Sequence, residues 1–164
     1  MSATLPRIGK VLCYVVRDGR LLVFRHRDHA DAGLQVPAGT LHYGEEPRAG
    51  AIRETEEETG RQRFRIVAEL GVYDHEFRYR IEGVERHEIH ERHVFVLEPP
   101  VGLPDAWSHL AEGGDGDFWF EYEWCPIDPD LTLAGDQHAL LHRLSAVRPE
   151  ILGRSAPSMQ PRDG

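Results

Sequence analysis

The hydrophobic pattern near the N-terminus predicts two strands joined by a tight turn. Residues 10–17 and 20–25 are rich in β-branched and other apolar side chains, which favour extended structure. Asp18 and Gly19 lie between them, and this dipeptide is typical of a two-residue hairpin turn. We therefore expect a β-hairpin from residue 10 to residue 25.

Three later segments also have the character of strands. Residues 64–79 and 84–97 look extended, and residues 82–83 form a predicted turn between them. Residues 118–124 are dominated by aromatic side chains, which are enriched in strands. By contrast, residues 101–117 end in a run of glycines and acids, so we expect a loop there.

Two segments have helical features. Residues 47–59 begin with Pro47, which suits the first position of a helix, and Gly60 after them suits a helix end. Residues 136–147 carry leucines at a helical spacing, at positions 140, 141 and 144. Several strands with one helix in the middle and one near the end indicate an α+β or α/β sandwich.

Length, charge and cysteine content restrict the class of protein. The length of 164 residues fits one globular domain. The net charge of −9 at pH 7 argues against a general binder of nucleic acid or anionic membranes. An anionic substrate stays compatible, because a bound divalent cation reverses the local field. Two cysteines give no disulfide framework, and no apolar run is long enough to span a membrane, so we expect a cytoplasmic location.

The same patterns predict the domain boundaries. We assign residues 1–7 to an N-terminal arm and residues 8–147 to a single folded domain. Residues 148–164 contain prolines and charges without periodicity, so we expect a flexible C-terminal tail.

Four glutamates crowd the predicted helix, at positions 54, 56, 57 and 58. Like charges at helical spacing repel each other, so something must offset the repulsion. On a helix, Glu54, Glu57 and Glu58 share one face within about 100° of arc, whereas Glu56 points away. The expected packing face carries Ala51, Ile52, Thr55 and Thr59.

Two interpretations of the glutamate face stay open at this point. Three carboxylates on one face suit a hard divalent cation such as Mg²⁺ or Mn²⁺. Arg53 lies one turn before Glu57 and can hydrogen-bond it, which would orient that carboxylate. A solvated acidic helix face is the commoner meaning of such a run. Spacing alone does not decide between these interpretations.

The wider pattern around the helix resembles a known motif. Gly39, Glu45 and residues 53–60 occur at the spacing of the Nudix box, a loop–helix–loop motif that here covers residues 39–61. The glycines, glutamates and arginine of that motif are all present. The chain is therefore similar to Nudix domains in the segment that carries their chemistry.

Two positions within the box depart from the family pattern. The motif has bulky aliphatic side chains where this chain has Thr55 and Arg61. Both are packing positions, so the departures concern the docking of the helix and leave the glutamates unchanged. The resemblance extends over residues 8–147.

The resemblance implies a fold and a reaction. Nudix domains are α/β/α sandwiches built around a mixed β-sheet. Nudix enzymes are pyrophosphohydrolases that cleave the diphosphate linkage of a nucleoside diphosphate joined to another moiety X, with Mg²⁺ or Mn²⁺ bound. The implied substrate is a small nucleotide, such as a dinucleoside polyphosphate or a nucleoside or deoxynucleoside triphosphate. Family analogy allows a homodimer, and no nucleic acid or membrane is expected as a partner.

The resemblance also assigns roles to residues of the box. It implies catalytic roles for Glu54, Glu57, Arg53 and Glu45, and a metal site at Glu54, Glu57, Glu58 and Gly39. Either Glu54 or Glu57 would be the general base. Glu45 would support the metal or its water shell, Arg53 would orient a glutamate, and Gly39 would allow a close approach of the backbone.

Candidates outside the box concern the substrate. Arg25 and Arg27 flank the loop that leads into the box and are candidates for phosphate contacts, with simple surface solubility as the alternative. Tyr79 lies at the edge of the window after the box in which dinucleoside polyphosphate hydrolases carry a tyrosine. His90 would point away from His87 and His93 on a strand, which argues against a zinc site but leaves His87, His90 and Arg92 as candidates to face the substrate.

Two other functions remain alternatives. One is a non-catalytic Nudix-fold sensor that binds a nucleotide, and the intact glutamate set argues against it. The other is an RNA-decapping type of hydrolase, against which the net charge of −9 and the lack of a basic stripe both count.

Overall fold

The computed structural model describes residues 3–113 and 116–147. In this part of the chain the strands are β1 (Arg7–Arg17), β2 (Arg20–His26), β3 (Ala38–Thr40), β4 (Arg65–Ile81), β5 (Val84–Glu98), β6 (Ala106–Gly113) and β7 (Gly116–Pro126). The helical segments described are α1 (Pro47–Thr59) and three 3₁₀ turns, Ala30–Ala32, Ala134–Asp136 and Leu141–Ala146. The predicted C-terminal tail, residues 148–164, lies outside the described residues.

The strands form one mixed sheet, as the resemblance implied. Its order is β4–β5–β1–β2–β7–β6, with β3 paired to β1 beside β2. β1 runs parallel to β5, whereas the other neighbouring pairs are antiparallel. Both predicted hairpin turns are present: φ is 51° at Asp18 and 72° at Gly19, and 50° at Glu82 and 80° at Gly83. Two successive left-handed residues are what a tight hairpin between twisted strands requires.

Helical segments cover both faces of the sheet. α1 packs over a core that includes Val11, Cys13 and Phe95. On the opposite face, Leu141 and Leu144 pack onto a second core. The layers therefore have the expected α/β/α order, with 3₁₀ turns instead of an α-helix in the second helical layer.

The helix predicted for residues 136–147 was wrong in type. The backbone N–H of Leu141 donates to the carbonyl of His138, and that of Arg143 donates to the carbonyl of Leu140. These bonds span three residues, which defines a 3₁₀ turn. Leu141 and Leu144 are three residues apart and share one face in a 3₁₀ turn as well, so the leucine pattern served packing without specifying an α-helix.

The loop predicted for residues 101–117 was wrong beyond residue 105. Residues Ala106–Gly113 form β6, which pairs along its length with β7. Trp107 of β6 stacks on Tyr122 of β7, with ring centroids 4.8 Å apart and an interplanar angle of 10°. The glycines and acids that suggested a loop lie only where β6 ends at Gly113 and β7 begins at Gly116.

The helix that carries the glutamates has the predicted bounds. Pro47 opens α1, and Gly60 ends it at φ 68°, donating its N–H to the carbonyl of Glu56. Thr55 is fully buried where the family pattern has an aliphatic residue, and its hydroxyl donates to the carbonyl of Ala51 at 2.8 Å. The buried hydroxyl of Thr55 is thus hydrogen-bonded within the helix itself. Among the described residues, no helix is long and apolar enough to cross a membrane.

Candidate active site

The guanidinium of Arg53 ties three carboxylates together. Its Nε and Nη2 atoms donate to the two oxygens of Glu45, each at 2.8 Å. Its Nη1 atom donates to Glu54 Oε1 at 2.7 Å and to Glu57 Oε2 at 3.2 Å. The contact expected between Arg53 and Glu57 is therefore present, and it is part of a larger cluster. The positive charge of Arg53 therefore offsets the repulsion between the glutamate side chains of this helix.

Glu45 holds the loop before α1 against Arg53. Hydrogen bonds from Arg53 and from the backbone N–H of His42 lower the pKa of the Glu45 carboxyl to about 2, so it is ionised at neutral pH. Arg53 also donates from Nη2 to the carbonyl of Thr40 at 3.1 Å. The loop and the helix are thus joined by several charge-assisted bonds, which fix the direction of the Arg53 side chain.

The Glu54 carboxylate lies directly against the backbone of Gly39. A Cβ atom placed on Gly39 would be 2.0 Å from Glu54 Cδ and 2.1 Å from Glu54 Oε2. Only a glycine leaves room for the carboxylate at this point of β3. Burial raises the pKa of Glu54, and the hydrogen bond from Arg53 acts in the opposite direction. The close approach expected of Gly39 is thus made to a metal-ligand candidate.

Glu58 lies deeper than Glu57 on the same face. Its Oε2 atom accepts a hydrogen bond from the backbone N–H of Ala38 at 3.1 Å. Burial raises the pKa of Glu58 well above its usual value, and the charges of Glu54 and Glu57 add to the effect. Glu57 is the most open of the three, with 59% of its side chain exposed. The predicted face therefore runs from a buried carboxylate to an accessible one.

The donor set fits a hard divalent cation. Across residues 3–113 and 116–147, no three His, Cys, Asp or Glu side chains are already placed to hold a metal ion. However, the charge of Glu57 helps to raise the pKa of Glu54, and the charges of Glu54 and Glu57 help to raise that of Glu58, and a cation relieves such repulsion. All the candidate ligand atoms are oxygens, which Mg²⁺ and Mn²⁺ prefer.

The residues predicted to contact the substrate each lie next to a carboxylate outside α1. Arg27 Nε bonds Glu121 Oε1 at 2.9 Å, and its guanidinium lies over the ring of Trp119. Arg25 Nε lies 3.7 Å from Glu123 Oε1. Both arginines therefore face carboxylates of β7, and the structure does not bring them to the helix. Tyr79 lies on β4, where its hydroxyl donates to Glu88.

The β5 histidines point to both faces of the sheet, as predicted. His90 is buried, and His93 lies on the other face next to Glu91. One residue near the glutamates was missed by the sequence analysis. Lys10 of β1 donates from Nζ to Thr40 Oγ1 at 2.6 Å. Lys10 lies there because the register of β1 against β3 pairs it with Thr40, and no local sequence signal indicates this pairing.

Comparison with known protein families agrees with the motif. The family model described as NUDIX domain matches residues 6–144 of the chain. This match confirms the resemblance seen at residues 39–61 and covers most of the residues assigned to the domain.

Two curated relatives share part of the sequence. The chain is similar to the CMP-5′-(N-acetyl-N-hydroxy-3-aminopropyl)phosphonate hydrolase of Streptomyces rubellomurinus, with 33% identity over 107 residues, 62% of this chain and 40% of that protein. It is also similar to the RNA pyrophosphohydrolase of Gluconobacter oxydans, with 43% identity over 64 residues, 39% of this chain and 36% of that protein. The matched regions thus span less than half of each relative.

A solved structure shows the same fold. The crystal structure of a UDP-X diphosphatase superposes with a TM-score of 0.57 at 19% identity, over 88% of this chain and 66% of the other. At this identity the likeness establishes the fold and not the substrate.

Proposed function

The chain belongs to the NUDIX family, whose enzymes hydrolyse pyrophosphate bonds, and from this premise we propose that it cleaves the diphosphate linkage of a nucleoside diphosphate joined to another moiety. The observation that carries the proposal is the seating of the Glu54 carboxylate against Gly39, together with the bonds from Arg53 to Glu54 and Glu57. An acidic helix face that served only solubility would need neither the glycine nor the shared arginine.

The geometry supports distinct roles for the carboxylates. Glu54, Glu57 and Glu58 would hold Mg²⁺ or Mn²⁺, which when bound neutralises diphosphate charge and acidifies water. Glu54 or Glu57 would accept the proton of the attacking water. Arg53 and Glu45 would act as positioning residues, because both oxygens of Glu45 are already engaged by the guanidinium.

A second candidate function is hydrolysis at the end of an RNA chain. The similarity to an RNA pyrophosphohydrolase favours it. The net charge of −9 argues against it, since affinity for an RNA backbone depends on neutralising its phosphates. We therefore place small nucleotides first and keep RNA as a test substrate.

A substrate panel tests the proposal. Nucleoside and deoxynucleoside triphosphates, dinucleoside polyphosphates, nucleotide sugars, ADP-ribose, NADH and a 5′-triphosphorylated RNA would be incubated with Mg²⁺ and with Mn²⁺, and products separated by chromatography. We expect metal-dependent cleavage of at least one small nucleotide. The Glu57→Gln/Glu58→Gln variant should lose about 100-fold or more in rate, as removal of electrostatic stabilisation commonly does.

The matched control is Glu56→Gln, which removes one glutamate of the same helix from outside the carboxylate face. This variant should keep the wild-type rate. Metal-dependent cleavage of nothing in the panel, or equal rates for the double variant and the control, would overturn the proposal. Preference for the RNA over every small nucleotide would move the assignment to the second candidate.

A further inference from the structure

One face of the β4–β5 hairpin carries an open aromatic surface. His75 pairs with His90, Phe77 with Glu88 and Tyr79 with Arg86, so these side chains share one face of the sheet. The Phe77 ring stacks on the His90 ring, with centroids 4.7 Å apart and an interplanar angle of 27°. Phe77 is nevertheless 39% exposed. We call Phe77 and His90 the aromatic platform.

The platform is held in place by a carboxylate. Glu88 Oε1 lies 2.7 Å from His90 Nε2, and Glu88 Oε2 accepts the hydroxyl of Tyr79 at 3.3 Å. Tyr79 in turn lies against Phe77, with ring centroids 5.4 Å apart. One acidic side chain thus bonds His90 and Tyr79, the two rings that contact Phe77. A pre-oriented ring surface binds a flat ligand with little loss of side-chain freedom.

Lys10 connects the platform to the helix carboxylates. It lies opposite Arg92 on β5 and opposite Thr40 on β3. Thr40 binds the Lys10 ammonium through its hydroxyl and the Arg53 guanidinium through its carbonyl. Burial lowers the pKa of Lys10, the charge of Arg92 lowers it further, and the charges of Glu88 and Glu54 act in the opposite direction.

The far side of this face is closed by the 3₁₀ turn Ala134–Asp136. Arg92 donates from Nη1 to the carbonyl of Gly135 and to the Tyr73 hydroxyl, and that hydroxyl donates to the carbonyl of Asp136 at 2.8 Å. Arg92 is buried and its Nη1 atom makes both of these bonds, so it forms part of the floor of this face. The face is therefore bounded by this turn on one side, and on the other Lys10 is joined to Glu54 through Thr40 and Arg53.

We propose that the aromatic platform and Lys10 form the subsite for the nucleoside monophosphate part of the substrate. A nucleobase would stack against the exposed part of the Phe77 ring, and Lys10 would bind the phosphate that lies between the base and Glu54. Stacking on an aromatic ring tolerates every base because each has a π-face. The Lys10 ammonium would supply a positive charge to the phosphate that lies between the base and the helix carboxylates. The inference rests on the proposed function and names its substrate class.

Binding of product-like probes tests the subsite without turnover. AMP, CMP, GMP, UMP and inorganic pyrophosphate would be titrated calorimetrically in the presence of Mg²⁺ into wild type, Phe77→Ala, Phe77→Leu and Lys10→Gln. We expect Phe77→Ala and Phe77→Leu to weaken the best-bound monophosphate about tenfold, consistent with loss of one stacked ring. Their affinity for pyrophosphate, which has no base, should not change. Lys10→Gln should weaken both probes.

Val72→Ala is the matched control. Val72 is an exposed apolar residue of the same strand, and it lies on the opposite face of the sheet. This variant should bind all probes as the wild type does. Phe77→Leu keeps apolar bulk without the ring, so it separates stacking from a loss of folding, which thermal unfolding would also report. Wild-type affinity of both Phe77 variants for every monophosphate would overturn the proposal.

Turnover separates this inference from the proposed function. With any nucleotide that the wild type cleaves, Phe77→Ala should raise KM about tenfold with kcat little changed, because stacking is equal in the ground and transition states. Cleavage with an unchanged KM in this variant would contradict the proposed subsite and leave the proposed hydrolase activity standing. Binding of monophosphates that depends on Phe77, without cleavage of any nucleotide in the panel, would support the subsite and contradict the proposed hydrolase activity.

A second copy of the chain is the competing occupant of this exposed face. Sedimentation of wild type and Phe77→Ala over a range of concentrations tests for it. A dimer that Phe77→Ala dissociates, together with unchanged affinity for the monophosphates, would assign the face to self-association and overturn the subsite.

Discussion

The Glu54 carboxylate lies in the space that a side chain on residue 39 would need. Gly39 belongs to β3 and Glu54 to α1, so the contact joins a strand and a helix across the loop between them. A Cβ on Gly39 would approach Glu54 Cδ to 2.0 Å, far inside any real contact. The glycine therefore determines where this candidate metal ligand points.

Replacing Gly39 with alanine should impair metal binding more than stability. The atoms that clash are at the end of a side chain, so Glu54 can rotate away at small cost to the fold but leaves its position. We expect Mn²⁺ to raise the thermal midpoint of the wild type and to raise that of Gly39→Ala less, since stabilisation follows affinity. Thermal unfolding with and without Mn²⁺ measures this. Combining Gly39→Ala with Glu54→Gln should add little, and full additivity would show that the two residues act independently.

Arg53→Lys should destabilise the fold although it keeps the charge. A lysine ammonium cannot bind both oxygens of Glu45 and reach Glu54 as the guanidinium does. Hydrogen bonds to charged groups are each worth roughly 1.5–3 kcal/mol, so we expect a loss of about 2 kcal/mol in urea unfolding. Arg48→Lys on the same helix is the control, because Arg48 makes one exposed bond, to Glu69. A change below about 0.5 kcal/mol is expected there, and equal effects of both substitutions would contradict the account.

Local signals predicted the helix of the site and its carboxylate face. Pro47 and Gly60 specify where α1 begins and ends through their own backbone restrictions, so neighbouring elements are not needed to place it. The separation of Glu54, Glu57 and Glu58 from the packing residues follows from the helical repeat alone. The bond between Arg53 and Glu57 follows from the same repeat.

Features that depend on distant segments were not predictable. β6 was assigned to a loop because its strand character depends on pairing with β7 and on the stacking of Trp107 on Tyr122. The approach of Lys10 to Thr40 depends on the register of β1 against β3. Both are contacts between elements, and the sequence of one element does not contain them.

Thr55→Val should stabilise the protein. The Thr55 hydroxyl is buried and donates to the carbonyl of Ala51, which also accepts a helical N–H and the Cys13 thiol, so replacing the hydroxyl with a methyl group leaves that carbonyl paired. We expect a gain of up to about 1 kcal/mol in urea unfolding. Thr59→Val is the control with the opposite expectation. Its oxygen accepts the N–H of Arg61 at 3.2 Å, and leaving this donor unpaired should cost about 1 kcal/mol. Losses of similar size in both variants would refute the distinction.

His26 should make stability fall in mild acid. Its Nδ1 atom is buried without a partner among the described residues, and its ring lies edge-on against Phe118 and Phe120. Burial lowers the pKa of His26, and nearby His29 lowers it further. The unfolded chain therefore takes up a proton below about pH 6.5 that the folded protein resists, so stability present above that pH is lost as the pH falls towards the folded pKa.

The substitution His26→Phe keeps the aromatic ring and removes the titration. Between about pH 7.5 and about pH 5.5, the unfolding free energy of the wild type should fall more steeply than that of the variant. Other histidines with a lowered pKa, His75 and His90, remain in both proteins and leave a common slope. Urea unfolding at several pH values measures the difference in slope. Parallel curves would mean that His26 keeps its ordinary pKa, and that the aromatic cluster around it opens to water more readily than the structure shows.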